Sequence, residues 1–82
     1  MEHEALEEIH FIITELKQDR SVPKNVVAKL ENMERIFEDN EEDIYIKVDR
    51  ALQMVEEIME DANLQPFVRT KLWNICSLLE SI

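Results

Sequence analysis

The chain reads DRSVPKN at residues 19–25 and DANLQPF at residues 61–67, and these two segments decide the fold. Each opens on an aspartate, passes an apolar side chain and reaches a proline, and the chain has only two prolines. In the first turn of a helix a proline costs little, because its missing N–H has no partner there and its fixed φ is already helical. Pro23 and Pro66 are therefore expected to start helices. Ser21 and Asn63 stand just before them and Asn40 before a third apolar run, so each is expected as an N-cap that accepts from a first-turn N–H. The chain contains no glycine, which leaves Asn40 and Asn63 as the residues expected at left-handed corners.

On both sides of these hinges apolar residues recur every three or four positions. Leu6, Ile9, Ile13 and Leu16 form one such stripe, widened by Ala5 and Ile12. Val26, Leu30, Met33 and Phe37 form the second, Ile44, Val48, Ala51, Val55, Ile58 and Ala62 the third, and Val68, Leu72, Ile75, Leu79 and Ile82 the fourth. Steps of three and four place each set on one face of a helix. No alternating β-branched run is bounded by hairpin chemistry, and IYIKV at 44–48 lies inside a longer helical period.

Shifted so that Asp19 meets Asp61, the chain matches itself: Val26 meets Val68, Leu30 meets Leu72, and Leu6, Ile9 and Ile13 meet Val48, Ala51 and Val55. Shared periodicity alone aligns apolar positions. The off-stripe identities Asp19/Asp61, Lys29/Lys71 and Asn32/Asn74 argue for a duplicated αα-hairpin. The expected architecture is all-α: one domain over residues 1–82, with hairpin one at about 2–39 and hairpin two at about 41–82, packed as a pseudo-twofold four-helix bundle.

A formal net charge of −10, from 19 acidic and 9 basic residues, argues against nucleic acid and anionic membrane as direct partners. No apolar run approaches the length of a membrane span, and the amino terminus is acidic where an export signal would be basic. The single cysteine, Cys76, rules out an internal disulfide and fits a reducing compartment, so the expected location is cytoplasmic.

Large apolar residues off the core stripes, with polar mates in the other hairpin, are those the fold does not need. Phe11 pairs with Gln53, Ile46 with Glu4 and Trp73 with Glu31; Trp73 lies beside Arg69 and Cys76 on the flank of helix four. Exposed aromatics are enriched at interfaces, so Phe11, Ile46, Trp73 and Arg69 are interface candidates. The competing expectation is that a wide apolar arc takes Trp73 into the edge of the core.

His3, Glu7 and His10 stand at i, i+4 and i+7, and Glu7 with His10 makes the E-x-x-H spacing of di-metal bundles, a weak metal signal that has no second copy in the chain. The acidic run EDNEED at 38–43 lacks the glycine and terminal glutamate of a calcium loop, and its acids are expected to favour the start of helix three. Cys76 has no histidine near it in sequence and reads as a structural thiol.

The segments SVPKNV at 21–26 and DANLQPFVRTKLWNICSLLE at 61–80 resemble a family of small archaeal proteins, the uncharacterised protein family 0147. The resemblance spans nearly the whole chain and is most specific at Thr70, Lys71, Leu72, Trp73, Asn74, Ile75, Ser77, Leu79 and Glu80. It implies a four-helix bundle and carries no activity or site residue. Gln65-Pro66 departs by one position from the expected proline, which bears on where helix four begins.

The function expected is that of a non-enzymatic acidic protein acting through protein–protein contacts, most simply as a homodimer or adaptor, with no cofactor. The alternatives are a small-ligand or metal-binding bundle with enzymatic activity, and an acidic partner of a basic or ribonucleoprotein surface.

Overall fold

The apolar periods become four helices of nearly equal length in a computed structural model, which describes residues 4–82. They are α1 (Glu4–Gln18), α2 (Lys24–Glu38), α3 (Ile44–Met59) and α4 (Pro66–Glu80), and no strand occurs among the described residues. Each helix packs on its two neighbours in a closed ring, α1 on α2 and α4, and α3 on α2 and α4, with no close backbone contact across either diagonal. The result is an up-down-up-down bundle whose short loops make sequential helices antiparallel.

The core is drawn from the expected stripes: Ile9, Ile13, Leu16, Val26, Leu30, Met33, Ala51, Val55, Ile58, Val68, Leu72, Ile75 and Leu79 are buried, while the stripe residues Ala5, Leu6, Ile12, Phe37, Ile44, Val48 and Ile82 are only half-buried. Val22 and Leu64, from the two hinges, join it. Ala62 does not: α3 ends at Met59, and Ala62 is exposed in the connection that follows.

The hinges owe their shape to aspartate. Asp19 Oδ1 accepts hydrogen bonds from Ser21 N (2.9 Å) and Ser21 Oγ (2.7 Å), and Asp61 Oδ1 accepts from Asn63 N at 2.9 Å. Asp39 Oδ1 likewise accepts from Glu41 N, so all three connections are built on an Asx turn. In each hinge the next apolar residue closes a backbone turn onto the same aspartate, Val22 N on Asp19 O and Leu64 N on Asp61 O, and is driven into the core. The two bonds from Ser21, side chain first and backbone second, hold the Asp19 carboxyl below its ordinary value. Their stabilisation is therefore present at neutral pH and is lost as pH falls through that lowered value.

This corrects the expected caps. Ser21 donates to Asp19 instead of capping α2; the N-cap is Pro23, whose carbonyl accepts from Val26 N and Val27 N. Gln65 occupies the N-cap of α4, so Asn63 does not, and Pro66 is the first helical residue, as expected. For α3 the cap is Asp43, whose Oδ1 accepts from Tyr45 N at 2.8 Å, and Asn40 lies exposed in the preceding turn. No described residue has positive φ, so neither Asn40 nor Asn63 takes a left-handed corner. The reason is that a carboxylate accepting from the N–H two residues ahead reverses the chain without a left-handed residue, and so without glycine.

Two cations close helix ends from the next helix in the chain. The Arg69 guanidinium on α4 donates to Met59 O and Asp61 O, both at 3.1 Å, where α3 ends. Lys47 on α3 is the one buried charged residue among those described, and its Nζ donates over a long 3.5 Å to Phe37 O at the end of α2. Terminal carbonyls lack intrahelical donors and carry the negative end of the helix dipole, so both cations are placed where they stabilise.

Candidate functional site

With the stripes consumed by the core, five large apolar side chains remain in solvent: Phe11, Tyr45, Ile46, Phe67 and Trp73. Trp73 is 59% exposed and Phe11 63%, so the edge of the core does not take Trp73 in. Both residues occupy the middle of their helices.

Trp73 forms one side of a groove of about 500 Å³ between α3 and α4. Half-buried Leu52, Met59 and Cys76 floor it, and exposed Glu56, Glu60 and Glu80 rim it. No lysine or arginine lines it. Phe11 is framed in the same way, in a shallow depression with Glu4, Glu7, Glu8 and Ile12. Thus each of the two centrally placed exposed aromatics sits among three glutamates. Ile46, at the first turn of α3, is 47% exposed beside Tyr45 and lines neither depression. Arg69 is absent from the groove, because its guanidinium is turned to the end of α3; the structure places this interface candidate in the scaffold.

The proposed metal trio is not assembled among the described residues. His3 lies outside them, and His10 Nδ1 approaches Glu34 Oε2 on α2 at 2.9 Å. Glu34 Oε1 accepts from Lys17 Nζ at 2.9 Å, while no aligned hydrogen-bond donor reaches Oε2. The His10 approach therefore has the distance of an ion pair without the alignment of a hydrogen bond. The hydrogen bond to Glu34 raises the Lys17 pKa most; burial opposes it, and the charges of Glu34, Glu31 and Glu38 add to the rise. Among the described residues no group of three or more His, Cys, Asp or Glu is disposed to hold a metal ion. Beside this cluster a smaller groove of about 190 Å³ opens between α1 and α2, over Leu6, Ile9, Ile13 and Phe37.

A family model described as an uncharacterised protein family, UPF0147, matches residues 1–82. The chain belongs to this family. Its relatives include the UPF0147 protein of the archaeon Methanothermobacter thermautotrophicus, 30% identical over 100% of this chain and 80% of that one. Another is the UPF0147 protein of Archaeoglobus fulgidus, 30% identical over 100% of this chain and 93% of the relative. Among solved structures, the crystal structure of a protein of unknown function, MMP1188, superposes with a TM-score of 0.91 at 29% identity, over 100% of this chain and 93% of that one. The UPF0147 bundle is thus the fold of both chains. These names state no substrate, ligand or partner, so the chemistry of this UPF0147 protein has to be read from its own surface.

Cys76 lies on the floor of the acidic α3/α4 groove. Burial, then the carboxylates of Glu80 and Glu56, push its thiol above the ordinary value, which lowers the thiolate fraction at neutral pH. At pH 8 it is expected to react with an anionic aromatic disulfide roughly ten-fold more slowly than an unstructured cysteine peptide. Absorbance of the released thiolate measures this, and equal rates would show that the acidic groove does not govern Cys76.

Two exposed aromatics, Tyr45 and Phe67, escaped the sequence reading. The signal was present: under the shift that pairs Asp19 with Asp61, Phe67 falls on Asn25 and Tyr45 on His3, both polar. No described helix of this UPF0147 chain is long and apolar enough to cross a membrane.

Proposed function

We propose that this UPF0147 protein is a non-enzymatic interaction module, most simply a homodimer or adaptor, that offers exposed apolar side chains to another protein. The observation that carries this reading is Trp73, 59% exposed in the middle of a helix and standing over an apolar floor. Tryptophan is the side chain most enriched in binding hot spots, and a soluble bundle gains nothing from leaving it in water. The matched Asx hinges at Asp19 and Asp61, each followed by a buried apolar residue, support the further reading that the bundle arose from a duplicated hairpin.

At concentrations where wild type is monomeric, Trp73→Ser and Phe11→Ser are expected to leave thermal unfolding within about 0.5 kcal/mol of wild type, as surface substitutions do. A loss above about 2 kcal/mol would instead make either residue part of the fold. Light scattering after gel filtration separates the two forms of the reading. A wild-type dimer that Trp73→Ser dissociates is the homodimer, and monomers throughout at high concentration leave the adaptor.

A further inference from the structure

We propose that the α3/α4 groove docks a basic amphipathic helical segment of another protein, with apolar side chains on Leu52, Met59 and Cys76 and cations against Glu56, Glu60, Glu80 and Trp73. This rests on the adaptor form of the interaction reading above, not on its homodimer form, and names the partner chemistry. The groove lies between two antiparallel helices, and its lining runs from residue 52 to 60 on α3 and from 73 to 80 on α4. Seven residues of helix rise about 10 Å, so the groove accommodates two turns of a partner helix with anchors at i, i+3 or i+4, and i+7.

Charge selects the occupant. Three carboxylates and no cation line the groove, and the whole chain carries −10. A second copy of this chain would bring net negative charge onto a negative rim, and nucleic acid would bring phosphates. Both approaches are opposed at long range, whereas a lysine- or arginine-bearing segment is steered in and paired on arrival. Tryptophan also has the aromatic face that attracts an ammonium or guanidinium group most strongly. A small polycation would satisfy the carboxylates but leave the floor of Leu52, Met59 and Cys76 in water; an amphipathic helix meets both demands.

Trp73 is the chain's single tryptophan, so its emission reports occupancy directly. The probe is a tryptophan-free helical peptide of about fourteen residues, with leucines on one face and lysines flanking them. Its addition to the full chain is expected to shift Trp73 emission saturably, and affinity is expected to fall at least about ten-fold between roughly 50 and 300 mM salt. The triple variant Glu56→Gln, Glu60→Gln and Glu80→Gln should weaken binding about ten-fold with an unchanged melting curve. A labelled peptide followed by anisotropy should likewise lose affinity for Trp73→Ser. Equal binding by a sequence-scrambled lysine-leucine peptide, by a glutamate-leucine peptide, by spermidine, or by the triple variant would overturn the proposal. A wild-type dimer whose Trp73 is shielded from acrylamide, and which binds no peptide, would overturn it while upholding the interaction module. A monomer with freely quenched Trp73 and no peptide binding would overturn it and remove the homodimer form of the interaction module.

Discussion

Leu72→Ala is expected to cost about 2–5 kcal/mol and to lower the melting temperature by about 8–40 °C. Leu72 is fully buried on α4, which packs on both α1 and α3, so its side chain lies within the central core. Truncating it removes the transfer free energy of three carbons and leaves a void that the neighbouring α1 and α3 cannot close without moving their own partners. An 82-residue chain has little stability in reserve, so a loss at the upper end of the range would leave it largely unfolded at room temperature. Leu52→Ala is the internal comparison: the same atoms are deleted from a half-buried position on the floor of a groove that is open to solvent. It should cost under about 1.5 kcal/mol. Urea titrations of both variants measure the difference, and equal losses would mean that the groove is closed in solution.

Arg69→Met should cost about 2 kcal/mol. Methionine keeps most of the apolar stem but removes the two donors that reach Met59 O and Asp61 O. Hydrogen bonds from a charged donor are the stronger kind, and the terminal carbonyls of α3 also lose a cation at the negative end of the helix. Because Arg69 is half exposed, water recovers part of the loss, which keeps the expectation near the lower end of the range for such bonds. Arg69→Lys should fall between, since a point charge serves one carbonyl well where a fork serves two. Amide hydrogen exchange should rise at Met59, Glu60 and Asp61 in both variants and stay unchanged in α1. A loss below about 0.5 kcal/mol, with exchange unaltered, would return Arg69 to the surface as a binding residue.

Arg69 also shows where sequence reasoning stops. Its position on the flank of α4 beside Trp73 was legible from periodicity, and neighbouring flank residues were read as one interface. The guanidinium reaches the end of the preceding helix, because antiparallel packing brings the start of α4 beside the end of α3. No spacing rule along the chain contains that contact. Lys47 repeats the lesson, since a lysine on a helix flank is solvated by default, and only the nearby end of α2 makes its burial tolerable. The cap assignments failed for a local reason: Ser21, Asn40 and Asn63 are competent caps, but Asp19, Asp39 and Asp61 form Asx turns ahead of them and set the chain's path first.

What the amino-acid sequence determined by itself was the periodic part of this protein. Apolar residues every three or four positions, interrupted at DRSVPKN, EDNEED and DANLQPF, specify four helices and nearly every buried side chain, because burying a stripe is the dominant favourable term and depends on local order alone. Phe11, Ile46 and Trp73 were singled out by the same rule, as apolar residues outside the stripes with polar repeat mates, and all three are exposed. Tertiary structure alone decided that Trp73 stands over Leu52, Met59 and Cys76 with Glu56, Glu60 and Glu80 around it. Those residues come from two helices, and their meeting depends on which flank of α3 faces which flank of α4. Helix packing sets that rotation through side-chain interdigitation across the whole core, a property that no single segment of the chain carries.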